Sequence, residues 1–505
     1  VKMKIEKNID IITAARHRGK REKTSRQPIK ENPGSIKEEL RLSPQAESRL
    51  KKPEPVLKKC RLKPLSPSLS GDKKKWSVLL YLAADNNLEP YITKSLLDLE
   101  QVGSTPEINF VAQLDRGEVK RQAGKARNPH GGLPEANRYY VTKSRESQHL
   151  TSPVVEKLGK TDSGDYKVLQ DFLIWGFQNY PAENYLLIFG DHGVGFRGGL
   201  SDDGFKSSME LSGMKKAIQG AKAAAGVDKE KIILGFNACF MAQTEVGYSL
   251  KDTAKVMIAS EETENYGGWA YSAIFGPKKA VGHYDQEQMI NKIMDSVKGN
   301  GKNIYTQSAI DLSRMEQLKN SVNRLAKAML SSPEPKANLR EVIQKAQNYG
   351  QYLVPASRFY GNYRDLYDVA EKFSESEKIQ DKKLKKAARE VMKSVKDAIS
   401  AENHILTGMQ RNKEAKPGHP QIKGDFRGSH GLSINTNYER NLEAGYGKAD
   451  FAKDILWFDA LKTLRVPVRI PKMKDLPGFE QFKSSSAKVP VKPKVNLNQA
   501  QLPEH

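Results

Sequence analysis

Between Trp76 and Ser260 five short apolar runs alternate with stretches of helical spacing, and few architectures can use such a chain. WSVLLYLAAD starts at 76, INFVAQLD at 108, YLLIFGDHG at 185, KIILGFNAC at 231 and KVMIAS at 255. A run that is apolar at nearly every position has to be covered on both faces, which points to strands inside a parallel sheet. The segments between them, YKVLQDFLIWGFQNY, MKKAIQGAKAAAG and FMAQTEVGYSL, read as amphipathic helices. Asp85-Asn86-Asn87 reads as the cap of another, in which Leu88, Tyr91, Ile92, Leu96, Leu97 and Leu99 recur near helical spacing. Strand and helix in alternation give an α/β fold. The chain has 505 residues, enough for a sizeable core, and no apolar run long enough for a membrane-spanning helix. Its two cysteines, Cys60 and Cys239, exclude a disulfide framework and a four-cysteine zinc site.

Two segments break the rhythm. Residues 116–137 are basic, Gly-rich and aperiodic, and residues 194–211 follow the third run directly; both read as surface loops. After about residue 280 the pattern becomes mainly helical, with strand-like pieces at IYTQSAIDL and HGLSINT. The expected organisation is a basic tail or pro-segment over 1–75, an α/β part over 76–280, a mainly helical part over 281–465 packed on it, and a basic tail over 466–505.

The net charge of +23 is concentrated at the ends. Residues 1–75 hold 22 Lys and Arg against 9 Asp and Glu, and residues 466–505 hold 7 against 3. Both ends are rich in Pro, Ser and Lys, a composition that cannot bury enough apolar surface to order itself. Solvated tails or a pro-segment is the plain reading; binding of nucleic acid by residues 1–75 is the rival. The first residues are basic, but their apolar stretch is broken by Asn8 and Asp10, so no secretory signal is visible.

Ligands of open α/β sheets bind beyond the carboxyl ends of the strands. The third run ends in Gly190-Asp191-His192-Gly193 and the fourth in Asn237-Ala238-Cys239-Phe240. A cysteine nucleophile needs a base to take its proton, and a histidine can later return that proton to a leaving amine. The N–H groups of Gly193 and Cys239 could together form an oxyanion hole. Taken singly, a cysteine after a strand is usually a small buried hydrophobe, and a histidine between glycines a turn residue. Together at two strand ends, 47 residues apart, they point to thiol hydrolysis.

The combination VLLYLAADNNLE, LLIFGDHGVGF, ILGFNACFMAQTEVGYSL and ASEETENYGGWAY resembles the clostripain family of cysteine peptidases, itself similar in fold to caspases, legumains and gingipains. SAIDLSRMEQL, YRDLYDVAEKF and GLSINTN extend the likeness, which spans roughly residues 76–463. The resemblance implies a caspase-like three-layer α/β/α sandwich with a largely parallel sheet and a mainly helical C-terminal part. It implies an endopeptidase acting on proteins or peptides after Arg or Lys through a thioacyl intermediate, with Cys239 as nucleophile and His192 as its partner. The family commonly has Asp two residues before the nucleophile, where it receives a basic side chain; this chain has Asn237, which supplies no charge. Glu261, Glu262 and Glu264 could restore that charge, or could form a solvated acidic turn. No cofactor is needed for the chemistry, but the family suggests calcium, for which Asp202, Asp203, Glu261 and Glu262 offer oxygens; the metal site itself is unknown. Family habit also suggests export or the cell envelope, and a precursor that cuts itself between its His-bearing and Cys-bearing strands. Within 194–230, Lys206-Ser207 is the bond in the most open polar context. The rival functions are a weakened relative serving as a binding or scaffold module, and a nucleic-acid-associated protein.

Overall fold

The computed structural model describes residues 73–117, 133–264, 267–276, 283–299, 306–350, 362–409, 423–437 and 443–465. Nine strands form the main sheet: β1 (Lys74–Ala84), β2 (Ile108–Arg116), β3 (Ala136–Tyr140), β4 (Val154–Gly159), β5 (Ala182–Gly190), β6 (Ile232–Asn237), β7 (Val256–Ala259), β8 (Thr306–Asp311) and β9 (Ile399–His404). Their order is β9-β8-β7-β6-β5-β1-β2-β3-β4. The five central strands, β7 to β2, run parallel, and two antiparallel strands close each edge.

The apolar runs are continuous because both faces of each central strand are covered. Leu79, Tyr81 and Ala83 of β1 enter one core, while Val78, Leu80 and Leu82 enter the other. The second core is closed by α1 (Glu89–Glu100) together with helices over Tyr271–Phe275 and Gln286–Gly299. Against the first lie α2 (Tyr166–Asn179), α3 (Leu211–Ala225) and α4 (Thr244–Leu250), with helices over Met315–Ser331, Leu366–Glu375 and Lys382–Ala398. This is the three-layer sandwich expected. Each fully buried aliphatic side chain contributes roughly 1.5–3 kcal/mol, so the two cores are what hold the strand ends in place.

Three features depart from the sequence reading. Strand β9, which the sequence did not announce, pairs with β8 in the strand-like piece IYTQSAIDL, and both extend the main sheet from beyond residue 280. The segment 194–211 is not an open loop: a single 3₁₀ turn at Gly195–Arg197 leads into a two-stranded hairpin, Gly199–Asp202 with Ser207–Met209. Finally, β3 and β4 form a hairpin at the far edge, stabilised by the buried Arg138, whose guanidinium donates to Gln113, Glu156 and Asp171 and stacks 4.9 Å from the Trp175 ring centroid. A small second sheet joins Asn348–Tyr349, Tyr363–Asp365 and Ser433–Asn435. Residues 1–72 and 466–505, with Cys60 and nearly all of the tail proposed to bind nucleic acid, lie outside the described residues. Among the described residues no helix is long and apolar enough to cross a membrane.

Candidate active site

Neighbouring strands β5 and β6 pair in register from Tyr185 with Ile232 to Gly190 with Asn237. His192 and Cys239 therefore stand at equivalent positions, two residues past the last pair. The two exits are in contact. A β-carbon on Gly193 would overlap the Cys239 carbonyl oxygen and come within 3.0 Å of Met241 Cγ, which is why glycine occupies that position. After Cys239 the chain turns sharply. Phe240 has a left-handed φ of 59°, rare for a bulky residue, and is held by its N–H to the Glu262 carbonyl at 3.1 Å and by the Tyr363 ring.

The histidine exit is built from several elements. Buried Asp191 accepts from Asn86 Nδ2 at 2.8 Å and from the Ser201 N–H at 2.5 Å. Val194 and Leu200 donate to Gly198 and His192, a ladder that leaves the Gly193 N–H out of its pairing. The His192 Nε2–H donates to Asn87 Oδ1 at 2.9 Å. Burial lowers the His192 pKa, opposed by the negative charge of Asp203, so the ring is neutral at neutral pH.

Cys239 is half-buried, and its thiol lies 3.9 Å from the Glu264 carbonyl oxygen. Burial pushes the thiol up to about 12, against the pull of that hydrogen bond and with help from the Glu264, Glu262 and Asp191 carboxylates. Burial thus keeps the Cys239 sulfur as a thiol and the His192 ring neutral.

The Asn237 amide is engaged at both its nitrogen and its oxygen. Its Nδ2 donates to Tyr271 Oη at 3.1 Å and its Oδ1 accepts the Trp269 N–H at 3.2 Å. Glu264 accepts Trp269 Nε1–H at 3.4 Å, and its second carboxylate oxygen is buried without a partner. Burial raises the Glu264 carboxyl well above its ordinary range. Glu261 and Glu262 are buried, which overturns the solvated-turn alternative. Glu261 accepts from the Gly431 N–H at 3.2 Å, and Glu262 from the Thr263 and Gly350 N–H groups at 2.8 and 3.0 Å. Asp202 serves the hairpin, accepting from Ser163 and Phe205 N–H groups, and the adjacent Asp203 is exposed. Asp202 and Asp203 thus belong to a different neighbourhood from Glu261 and Glu262. Among the described residues no three His, Cys, Asp or Glu side chains converge as a cation site. Lys206 is exposed at the hairpin tip with φ of 56°, and Ser207 begins the returning strand, its hydroxyl donating to Asp162.

Sequence reading missed Asn87, taken there only as part of a helix cap. In the structure Asn86 Oδ1 accepts the Leu88 N–H at 2.9 Å, while Asn87 turns to His192. Its only signal was a doubled asparagine at the end of a strand.

The sequence model of the Clostripain family matches residues 80–463, which takes in both strand exits and the later helices. The chain belongs to the clostripain family. As a member, it is a cysteine-type endopeptidase acting on protein or peptide substrates. Clostripain from Hathewaya histolytica is 24% identical over 389 residues, covering 66% of this chain and 72% of the relative. Among solved structures, a secreted C11 cysteine protease from Bacteroides thetaiotaomicron in complex with an irreversible peptide inhibitor superposes with a TM-score of 0.54 at 18% identity, covering 77% of this chain and 99% of that one. An inactive zymogen C11 protease from Parabacteroides distasonis gives 0.56 at 17% identity, covering 76% and 99%. These two likenesses concern the fold.

Proposed function

We propose that this clostripain-family chain cleaves peptide bonds through a Cys239–His192 dyad, with a preference for Arg or Lys on the acyl side of the cut. The observation that carries the reading is the in-register exit of β5 and β6, which brings the His192 and Cys239 segments into contact at the carboxyl edge of the sheet. His192, kept neutral by burial, takes the thiol proton as sulfur attacks the carbonyl carbon. The Gly193 and Cys239 N–H groups receive the developing oxyanion. The C–N bond then breaks, and the imidazolium gives its proton to the departing amine. Water enters, loses a proton to His192 and releases the acid from the thioacyl intermediate, after which the proton returns to sulfur. Every proton and electron pair is accounted for by Cys239, His192 and water.

The basic preference rests on Glu264, whose backbone carbonyl lies beside the Cys239 thiol and whose buried carboxyl, protonated in the free enzyme, carries an unpartnered oxygen and would ionise on pairing with an entering Arg or Lys. Glu261 and Glu262 face other groups, and Asn237 adds polarity without charge. The neutral Asn237 favours a second reading, a peptidase whose preference at this position is not confined to basic residues. Calcium support, suggested by the family likeness, is tested by chelation; full activity after exhaustive chelation dismisses it. Export or a cell-envelope location is proposed from the relative described as secreted, and cell fractionation tests it.

The deciding experiment is labelling by an irreversible thiol-directed peptide inhibitor, comparing Arg, Lys and neutral side chains at the position before the reactive group. Labelling of wild type at Cys239, with none in Cys239→Ala or His192→Ala, is expected. Turnover retained by Cys239→Ala rejects the mechanism. A protein that folds yet is never labelled points to the scaffold reading instead.

A further inference from the structure

We propose that Asn87 is a positioning residue for this dyad: its side-chain oxygen holds the His192 ring with its hydrogen on Nε2, leaving Nδ1 as the nitrogen that exchanges the proton with Cys239. The inference rests on the dyad reading and goes beyond it by assigning different tasks to the two ring nitrogens.

The argument begins with hydrogen-bond chemistry. Asn87 Oδ1 accepts from His192 Nε2 at 2.9 Å, within the ordinary range for N–H···O. An amide oxygen only accepts, so Nε2 must carry the hydrogen, and a neutral imidazole carries only one. Nδ1 is then bare and basic. The partner of one ring nitrogen sets the task of the other.

The position of Asn87 makes the contact a fixed one. It follows β1, whose Leu82 pairs with Gly190 of β5, so Asn87 and His192 leave adjacent strands. The preceding Asn86 is tied down on every side: Oδ1 to Leu88 N–H at 2.9 Å, and Nδ2 to the Ala83 carbonyl at 3.2 Å, Asp191 Oδ1 at 2.8 Å and the Ser201 carbonyl at 3.0 Å. Asn86 therefore locks the frame at Asp191, the residue before the histidine, and Asn87 locks the ring. The two asparagines divide the work.

A neutral partner suits a thiol that begins protonated. A carboxylate at position 87 would stabilise the imidazolium and keep more of the ring charged before reaction, when an empty Nδ1 is needed. During the reaction the Sγ proton moves to Nδ1 as sulfur attacks the carbonyl carbon, then passes from Nδ1–H to the leaving nitrogen as the C–N bond breaks. The Nε2–H stays on Asn87 Oδ1 throughout.

Asn87 is exposed, so removing its side chain leaves no buried hole. The test compares full-length wild type, Asn87→Ala, Asn87→Asp and His192→Ala. For each, kcat and KM on a peptide substrate are measured across pH, with the rate at which iodoacetamide alkylates Cys239. Asn87→Ala is expected to lose about 10- to 100-fold in kcat with KM within about twofold, since ring placement matters most in the transition state. Alkylation near neutral pH should slow in parallel. Asn87→Asp restores the acceptor and should recover much of the lost kcat, but with the acid limb of the profile moved up by about one pH unit. A merely structural role would leave that limb in place. Asn87→Ala with kcat within twofold of wild type, or Asn87→Asp with an unmoved acid limb, overturns the assignment while His192→Ala is inactive. Wild-type turnover in His192→Ala overturns the dyad reading itself, and the Asn87 assignment falls with it.

Discussion

Gly193 lies against the Cys239 carbonyl oxygen so closely that a β-carbon there would overlap it. Backbone cannot move aside as a flexible side chain can, so Gly193→Ala must push the two strand exits apart. The expected result is a loss of at least about 100-fold in kcat/KM, because a shift near 1 Å already disrupts positioned groups. The fold should lose about 1–3 kcal/mol, the usual cost of overpacking. Kinetics and a urea unfolding midpoint on the same preparation check both. Wild-type kcat/KM in this variant would show that the contact is irrelevant to the site.

Asn237 offers a second prediction. Its amide bridges Trp269 and Tyr271, and Asn237→Asp keeps the acceptor for the Trp269 N–H while Tyr271 Oη can donate to the new carboxylate. The substitution should be tolerated structurally and add a charge beside Cys239. It should then raise the Arg-to-neutral ratio of kcat/KM about tenfold or more, as expected for a charge pair formed in a partly dry pocket. An unchanged ratio places the specificity pocket elsewhere.

The strand ends were legible because burial on both faces writes itself as an uninterrupted apolar run, and Gly190 and Asn237 close two such runs. What escaped notice depends on distant partners. Strand β3 carries Arg138 at a buried position, acceptable only because Glu156, Asp171 and Gln113 converge on it. Strand β9 is a polar edge strand continuing directly from a helix, so no break in periodicity announces it. Asn87 meets a histidine 105 residues away. Glu261 and Glu262 resembled a surface turn, yet they are buried, each accepting from a backbone N–H, 170 and 88 residues away respectively, with burial raising both carboxyls. Local pattern reveals an element's faces; it does not reveal which remote donor makes a buried charge tolerable.

Asp115, at the end of β2, supplies a prediction in pH. Burial, and the negative charges of Asp202, Asp85 and Asp162, raise its carboxyl to about 7, against a hydrogen bond from Ser163 Oγ at 2.6 Å. The folded state therefore holds a proton that the unfolded chain releases near pH 4. Stability from this group is complete below that pH and is lost as pH rises toward 7. A side-chain amide in its place would still accept from Ser163 and cannot ionise, so Asp115→Asn should stabilise the protein at pH 8 by about 1–2 kcal/mol and do little at pH 4.5. Melting curves of the variant and wild type at both pH values check the difference. An equal gain at both would mean that ionisation is not the cause.

The hairpin beside the histidine exit is where self-processing is proposed. Its stem is fastened there, with Leu200 N–H on the His192 carbonyl, and its tip presents Phe205 and Lys206 to solvent. Lys206 is not extended as a protease substrate must be: its φ is 56°, and Ser207 is already paired with Asp202. Cutting between Lys206 and Ser207 therefore requires the tip to fray first. The strands are only four and three residues long, so this opening costs far less than disturbing α3, which protects Lys215, Lys216 and Lys222. A left-handed lysine, strained by roughly 1 kcal/mol, lowers that cost further. The two products should stay together, because β5 and β6, one in each piece, are neighbours in the sheet. Wild type is expected to yield a second chain beginning at Ser207, whereas Cys239→Ala and Lys206→Gly stay whole. Glycine removes the basic side chain and relieves the left-handed backbone, so loss of cutting there cannot come from added strain. Intact-mass measurement and N-terminal sequencing during storage at several protein concentrations decide the matter, a concentration-independent rate marking a cut within one molecule. Cleavage of Cys239→Ala at the same bond, in the absence of another protease, would show that the hairpin is not processed by its own cysteine.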